Sequence, residues 1–260
     1  MSEPQGQVHL TIIDGVAAIL IDRPQARNAM TWTMYEQLAA ICTTIAADPK
    51  VLVATIRGAG GEAFVAGTDI AQVEHFNGAD DGVAYEHTID ANIGLIERLP
   101  MPTIAIVEGW AIGGGLAICA ACDFRVANPA AAFGLPIART LGNCLSMANT
   151  ARVVAAFGAA RAKRMLLLAE TIGADEALAC GFVTAIAEPG ELDAAAAAMC
   201  KRLASHAPLT MRVSKEAIRR LTSEGLPPGE DLIRACYGSS DFHEGVTAFL
   251  AKRRPAWTGA

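Results

Sequence analysis

The sequence has few charged residues for its length. Lys, Arg, Asp and Glu make up 18% of the 260 residues, and 52% are hydrophobic, whereas about 25% charged residues is usual for a soluble protein. The formal net charge of −6 argues against general nucleic-acid binding, which needs a basic face. A local basic patch can still meet a phosphorylated small molecule. Such a chain can bury a large core, and also surface against copies of itself.

The sequence also lacks signals for export and membrane insertion. The opening residues, MSEPQGQVHL, contain no positively charged stretch before an apolar core, so no secretory signal is expected. The most apolar run, 103–122, contains Glu108 and four glycines and is better interpreted as a buried core segment than as a membrane span. We therefore expect a cytoplasmic protein with no membrane partner.

Metal-binding and disulfide patterns are missing as well. The seven cysteines are an odd number at loose spacing in a long chain, which favours reduced thiols. Cys119 and Cys122 form a C-x-x-C, but no second cysteine pair or histidine pair completes a zinc site. Their neighbours are Ala and Ile, so we interpret both as small buried side chains. We predict no bound metal.

The first half of the chain alternates between strand and helix patterns. VHLTIIDGVAAILID reads as two strands around an Asp14-Gly15 turn, and VLVATIRG and TIAIVEG are typical of buried strands. Thr31 can cap a helix that runs to about residue 47. A short helix is predicted up to about residue 76, then a break at NGADDG, then a helix over about 83–99.

The second half is mainly helical. Residues 114–122 are apolar on all sides and predict a deeply buried helix. From 146 to 250 the pattern is mostly helical, with glycine- and proline-containing interruptions. We therefore predict an α/β core domain over 1–199 and a helical region over 200–260.

Two short stretches would leave backbone groups exposed. In AFVAGTDI, an apolar piece stops at Gly67 and Thr68-Asp69 follow; in GWAIGGGLAICAACD, the triplet 113–115 precedes a predicted helix. The first N–H groups of a helix have no internal partner, and the helix dipole makes this end positive. The triplet therefore suits either an oxyanion or the close packing of a buried helix. No G-K-[ST] follows it and it is not G-x-G-x-x-G, which excludes a phosphate loop and a dinucleotide site.

The order of these segments resembles one known family. Strand, FVAGTD, helix, strand, GWAIGGGLA, CD and FG-x-P resemble the crotonase superfamily, also called enoyl-CoA hydratase/isomerase. RPQARNAM near the start and HEGVTAFLAKRRPAW near the end extend the resemblance to nearly the whole chain. It implies an α/β crotonase (ClpP-like) fold, a spiral of β-β-α turns followed by C-terminal helices that pack in a homotrimer or a dimer of trimers.

The resemblance also implies an enzyme of fatty acid metabolism, a lyase or isomerase that acts on an acyl-CoA thioester. Coenzyme A is part of the substrate, so no separate cofactor is expected. The backbone N–H groups of Thr68 and Gly114 would form an oxyanion hole, in which neither group depends on its side chain. Residues expected to contact coenzyme A are Arg27, Ala66, Asp69, Ile70, Gly113 and Lys252. For Lys252 a solvated charge run is the other interpretation.

Two positions depart from the family pattern. Hydratases of this family carry two glutamates that handle the water and its protons, and the resemblance places them at Ala117 and Ile137. Neither side chain transfers protons, so hydration by that mechanism is not expected. Another crotonase-type reaction (isomerase, decarboxylase, thioester hydrolase or dehalogenase) and a catalytically silent acyl-CoA-binding protein stay open.

Other side chains were considered as replacements for the missing glutamates. Arg139 and Cys144 follow Ile137 and are, with Ala117 and Ile137, the acyl-pocket candidates. Arg139 would meet a carboxylate of the acyl group or form a surface ion pair, and Cys144 would act only as an activated thiolate. Further titratable side chains lie on helices that can border the pocket: Glu74, His75, Glu86, His87 and Asp90.

Overall fold

The N-terminal hairpin forms where the sequence predicts it. In the computed structural model, which describes residues 6–226 and 228–258, Asp14 and Gly15 both have positive φ and form the two-residue turn that suits the twist of paired strands. The strands are β1 Gln7–Ile13, β2 Val16–Asp22, β3 Val53–Gly58, β4 Ala63–Val65, β5 Thr103–Val107, β6 Trp110–Ile112, β7 Phe124–Ala127, β8 Ala132–Gly134, β9 Thr171–Gly173 and β10 Ala185–Ile186.

The strands form two sheets that the chain visits alternately. One sheet has the order β1-β2-β3-β5-β7-β10 and the other β4-β6-β8-β9. The pairs β1–β2 and β8–β9 are antiparallel and all other pairs are parallel. Since β3, β5 and β7 are each followed by a strand of the second sheet, each turn of the chain adds one strand to both. This is the predicted β-β-α spiral.

Helices cover the sheets and make up most of the second half. They are α1 Trp32–Ala47, α2 Ala79–Glu97, α3 Gly114–Ala121, α4 Ile137–Thr140, α5 Met147–Leu167, α6 Ala174–Ala179, α7 Leu192–Ala204, α8 Pro208–Ser223, α9 Glu230–Tyr237 and α10 Ser240–Leu250. The predicted domain boundary at 199/200 lies inside α7. No helix in the described ranges is long and apolar enough to cross a membrane.

The start of α2 differs from the sequence prediction. Thr31 does cap α1, accepting a hydrogen bond from the Met34 N–H. The predicted break is present at Asn77-Gly78, but the predicted helix start at about residue 83 is wrong, because α2 already begins at Ala79. Asp80 and Asp81 occupy its first turn, where the helix dipole favours carboxylates. The short helix predicted before it is only a 3-10 turn, Ile70–Val73.

The C-terminal helices close one side of the core. A separate apolar cluster joins α2 and the 3-10 turn to α9 and α10; its buried members are Val73, Val83, Ile233, Tyr237, Phe242 and Val246. This contact brings Phe249, Leu250 and Lys252 to the same cavity as Gly67 and Gly114. Helix α8, in contrast, buries none of its side chains.

Candidate active site

The loop before α1 fixes the turn that contains Thr68. The Met30 N–H donates to the Gly67 carbonyl at 2.8 Å, and the Asp69 N–H donates to the Met30 carbonyl at 2.9 Å. The residues on both sides of Thr68 are thereby held. In the described ranges, no protein acceptor takes the Thr68 N–H itself.

Two buried polar residues hold this loop in turn. The Asn28 side chain is fully buried; it donates to the carbonyls of Ala59 and Ala63, each at 2.8 Å, and accepts from the Arg23 N–H. The Arg23 guanidinium is 2.8 Å from the Asp69 carboxylate. Sequence analysis assigned no role to Asn28 or Arg23. The sequence feature that could have indicated Arg23 and Asn28 is the polar RPQARNAM segment after an apolar strand. The residues they bind are remote in sequence, so their role could not be deduced from this segment.

The glycine triplet combines the two interpretations that sequence left open. Helix α3 begins at Gly114, whose N–H meets no acceptor within the described part of the protein. At Gly115, a methyl group would overlap the Val65 carbonyl oxygen of β4. Glycine is therefore required here for close packing. The triplet packs a buried helix tightly and also leaves a helix N-terminus open.

The two stretches face each other. A methyl group built on Gly67 would lie 3.8 Å from the Gly114 nitrogen, and one built on Gly114 would lie 3.8 Å from the Thr68 nitrogen. Two unengaged N–H groups are thus near neighbours although they are far apart in sequence. Such a pair suits an anionic oxygen.

The Thr68 side chain belongs to a cluster of three hydroxyl groups. Its Oγ1 is 3.0 Å from the Tyr35 hydroxyl and 2.9 Å from the Tyr85 hydroxyl. Burial raises the pKa of Tyr35 to about 12 and that of Tyr85 well above its usual value, so both stay protonated at neutral pH. The expectation that the side chain at position 68 is without consequence therefore needs revision, because this side chain joins α1 and α2 to the turn.

One cavity of about 870 Å³ collects most of the predicted residues. Its lining includes Thr68 and Gly114, with the other predicted residues Arg27, Ala66, Asp69, Ile70, Gly113, Ala117, Ile137 and Lys252. Arg139 and Cys144 are not part of the lining. Arg139 is exposed, and a hydrogen bond with Cys236 together with burial raises the pKa of the Cys144 thiol. Cys144 is thus not an activated thiolate.

Basic side chains lie at the exposed side of this cavity. Arg27 has a left-handed backbone conformation and pairs with Glu62 at 2.8 Å, with both side chains more than half exposed. Lys252 is also exposed and follows Phe249 and Leu250, which line the same cavity. The side open to solvent therefore carries Arg27, already paired with Glu62, and Lys252.

The inner side of the cavity contains one buried carboxyl group. Ala117 and Ile137 are both buried there and transfer no protons. Glu86, only 2% exposed, lines the same cavity. Its carboxyl accepts from the Tyr237 hydroxyl at 2.6 Å and from the Ser146 N–H at 2.9 Å. Burial raises its pKa to about 7, against the lowering effect of these two donors.

The other titratable candidates lie elsewhere. Glu74, His75 and His87 are exposed, and His87 approaches Glu230 at 3.7 Å. Asp90 accepts from the Ser146 hydroxyl and pairs with Arg152. In residues 6–226 and 228–258, no group of three or more His, Cys, Asp or Glu side chains is arranged to hold a metal.

Known proteins share this architecture. The family model described as enoyl-CoA hydratase/isomerase matches residues 11–260. The chain belongs to this family. Its membership of the crotonase superfamily and its predicted crotonase fold are thereby confirmed.

Individual relatives span nearly the full chain. A short-chain-enoyl-CoA hydratase of Clostridium acetobutylicum is 34% identical over 248 residues, covering 92% of each chain. A solved enoyl-CoA hydratase/carnithine racemase of Magnetospirillum magneticum is 33% identical with a TM-score of 0.79, covering 97% of this chain and 96% of its own. A methylmalonyl-CoA decarboxylase in complex with 2-nitronate-propionyl-CoA is 26% identical with a TM-score of 0.89, covering 97% and 98%.

Proposed function

We propose that this crotonase-family chain is an enzyme that converts an acyl-CoA thioester through an enolate. The observation that carries the proposal is the pair of unengaged N–H groups, Thr68 and Gly114, that face each other at one cavity. The names of the relatives support the substrate class, because they describe enzymes that act on CoA thioesters.

The two N–H groups would receive the thioester oxygen. As the enolate forms, negative charge develops on this oxygen, and fixed donors stabilise it without reorganisation. One such donor is worth about 3–4 kcal/mol of transition-state stabilisation. The hydroxyls of Tyr35 and Tyr85 hold the Thr68 side chain, which keeps its N–H in place.

Coenzyme A would occupy the solvent-facing side of the cavity. Arg27 and Lys252 are the Arg and Lys residues of the described cavity lining, and they suit the phosphate groups. Backbone groups of the remaining lining residues would meet the adenine and pantetheine parts: Ala66, Asp69, Ile70 and Gly113. Coenzyme A then belongs to the substrate and is not a separate cofactor.

Hydration by the two-glutamate mechanism is not part of the proposal. Ala117 and Ile137 line the cavity, and the sequence resemblance assigns them the positions of those glutamates. Positioned acid–base groups contribute about 10²–10⁴-fold each. We therefore expect at most a trace of hydration of crotonyl-CoA, and a main reaction that uses the enolate differently.

Decarboxylation is the specific alternative that an observation favours. The solved decarboxylase complex has a TM-score of 0.89 at 26% identity, and the Magnetospirillum structure one of 0.79 at 33% identity, so the fold is compatible with either reaction class. In a decarboxylation the bond between the α-carbon and the carboxylate breaks, carbon dioxide leaves, and the electron pair passes to the thioester oxygen. No base is needed to form the enolate, which agrees with Ala117 and Ile137.

The test is a panel of CoA thioesters incubated in D₂O. We expect deuterium at the α-carbon of butyryl-CoA, or carbon dioxide release from methylmalonyl-CoA with deuterium in the product. Tight binding of these esters without exchange or turnover would indicate a catalytically silent acyl-CoA-binding protein. Absence of binding would overturn the proposal altogether.

A further inference from the structure

Helix α2 carries a buried carboxyl group, that of Glu86, which is not paired with a cation in the described residues. Buried carboxylates are usually paired with a cation, but the partners of Glu86 are neutral donors, the Tyr237 hydroxyl and the Ser146 N–H. The nearby guanidinium of Arg152 instead binds Asp90 and Glu97. A cavity-lining carboxyl without a counter-ion suits a changing protonation state better than a fixed charge.

We propose that Glu86 is the acid–base residue of this chain, exchanging a proton with the α-carbon of the bound thioester in place of the two missing glutamates. This inference rests on the proposed function, because it takes the enolate and its oxyanion hole as given.

The first oxygen of Glu86 is held by an unusually close contact between two helices. Gly82 lies one helical turn before Glu86 on the same face of α2. A methyl group at Gly82 would overlap the Cβ and Cγ atoms of Tyr237, so the ring lies directly on the helix backbone. From there its hydroxyl reaches Oε1 at 2.6 Å and accepts from the Asn143 amide at 3.3 Å.

The second oxygen is held from another direction. The N–H of Ser146, the N-cap residue of α5, donates to Oε2 at 2.9 Å. Each carboxylate oxygen has two acceptor sites, so each keeps one site after these contacts. The carboxyl is therefore fixed in orientation and keeps acceptor capacity on each oxygen at the cavity wall.

The same turn of α2 also reaches the proposed oxyanion hole. Tyr85, the residue before Glu86, bonds the Thr68 hydroxyl at 2.9 Å, and both Tyr85 and Glu86 line the cavity. One rigid element thus positions the carboxyl relative to the turn that carries the Thr68 N–H. Such shared support is what precise proton transfer requires.

The surroundings keep both forms of the carboxyl accessible. Burial raises the pKa of Glu86 to about 7, the Tyr237 and Ser146 donors lower it, and the Asp90 charge raises it. Among the described residues, the further titratable groups that interact with Glu86 are Tyr35, Tyr85, Cys144 and Cys236, while Arg152 interacts with Asp90. Acid–base catalysis is most efficient with a pKa near the working pH.

The proton transfer is balanced without a further reactant. In the forward direction the Glu86 carboxylate takes the α-proton, the C–H bond breaks, and its electron pair passes to the oxygen held by Thr68 and Gly114. In the reverse direction the protonated Glu86 gives its proton to the α-carbon, and the enolate returns to the thioester. After a decarboxylation, only this second step is needed.

The decisive variant is Glu86→Gln, which keeps the size and removes the titration. With the panel in D₂O, we expect α-deuteration, or deuterated product formation, to fall 10²–10⁴-fold, while butyryl-CoA affinity by calorimetry stays within about threefold. Glu74→Gln, at an exposed glutamate outside the cavity lining, is the matched control and should keep the wild-type rate.

The outcomes separate this inference from the proposed function. Wild-type exchange that Glu86→Gln retains within threefold overturns the role of Glu86 and leaves the proposed function intact. A wild-type protein that binds the esters but neither exchanges nor converts them overturns both. Loss of exchange with unchanged affinity supports the inference.

A second variant tests the proposal even if Glu86→Gln fails to fold. Tyr237→Phe removes a donor that lowers the Glu86 pKa, so the rising limb of the exchange rate against pH should move to higher pH. Recovery of the rate at higher pH distinguishes this shift from a structural loss. An unmoved limb would contradict the assignment.

Discussion

At Gly114 the contribution of a single N–H can be tested by comparing two substitutions that introduce the same Cβ. Gly114→Pro deletes it at the first helical position, where proline is tolerated. Gly114→Ala is the matched control, because either Cβ would come to 2.9 Å from the Tyr35 hydroxyl. We expect the proline variant to turn over CoA thioesters 10²–10³-fold more slowly than the alanine variant. Equal rates would show that the Gly114 N–H is not a donor to the thioester oxygen.

The hydroxyl of Thr68 offers a test of stability. Thr68→Val keeps the shape but leaves the Tyr35 and Tyr85 hydroxyls without this shared partner. We expect the free energy of unfolding in urea to fall by about 1–3 kcal/mol. Thr11→Val, on an exposed position of β1, should change it by less than about 0.5 kcal/mol. A loss no larger than the control would mean that the hydroxyl cluster is energetically unimportant.

Glu86 should also leave a signature in the pH dependence of stability. Its pKa rises from an ordinary 4.5 to about 7 on folding, so the folded state binds this proton more tightly. The corresponding stabilisation is complete below pH 4.5 and is lost as the pH rises through 7, with a size on the order of 3 kcal/mol. The Glu86→Gln variant has no titrating group at this position, so its free energy of unfolding should not show this decrease with pH.

The measurement is the difference in unfolding free energy between wild type and Glu86→Gln from pH 5 to pH 8. Wild type should lose stability relative to the variant as the pH rises. The same difference for Glu74→Gln should stay constant. Parallel curves for Glu86→Gln would contradict a raised pKa.

At the scale of elements, the contact between α2 and α9 is the critical one. Gly82→Ala would push the Tyr237 ring away from the α2 backbone and remove the donor from Glu86. We expect a stability loss of about 1–3 kcal/mol from overpacking together with an exchange-rate limb displaced to higher pH. Gly190→Ala, at a glycine with no neighbour within 4 Å, is the control for thermal denaturation and for the pH profile. An unchanged pH profile of the exchange rate in Gly82→Ala would show that the contact between α2 and α9 does not influence proton transfer by Glu86.

The elements show which features a sequence can predict. The hairpin at Asp14-Gly15 and the Thr31 cap depend on neighbours a few residues away, and both predictions are confirmed. The start of α2 was predicted too late, because packing of Gly82 against Tyr237 overrides the poor helix propensity of glycine.

Some residues of the candidate site could also be predicted from the sequence, and others could not. The backbone stretches at Thr68 and Gly114 were found because their order resembles a known family. Glu86 remained one of several helix residues, since its burial and its donor come from Tyr237, 151 residues further along the chain. No local pattern encodes such a partner.

At the scale of the whole molecule, α8 is the helix whose apolar side chains stay exposed. It buries none of its side chains, and its large exposed apolar residues are Leu209, Val213, Ile218 and Leu221. A second copy would cover such a surface. We therefore keep the predicted homotrimer or dimer of trimers as a proposal.

Sedimentation at micromolar concentration tests this proposal. We expect a species of three or six chains, and dissociation in the double variant Val213→Asp/Leu221→Asp. Ile13→Asp, at an exposed position of β1, should leave the assembly intact. A wild-type monomer would rule out the oligomer.

The distance in sequence between Glu86 and Tyr237 also sets a delay between the synthesis of the two residues. A ribosome adds about 5–20 residues per second, so the 151 residues that separate the two correspond to roughly 8–30 seconds of synthesis. During this interval α2 exists without the phenol that orients its carboxyl, and an incompletely paired buried carboxyl is unfavourable. Helix α2 should therefore dock fully only after α9 has left the exit tunnel. Docking of the C-terminal helices is then the last step in the formation of the cavity.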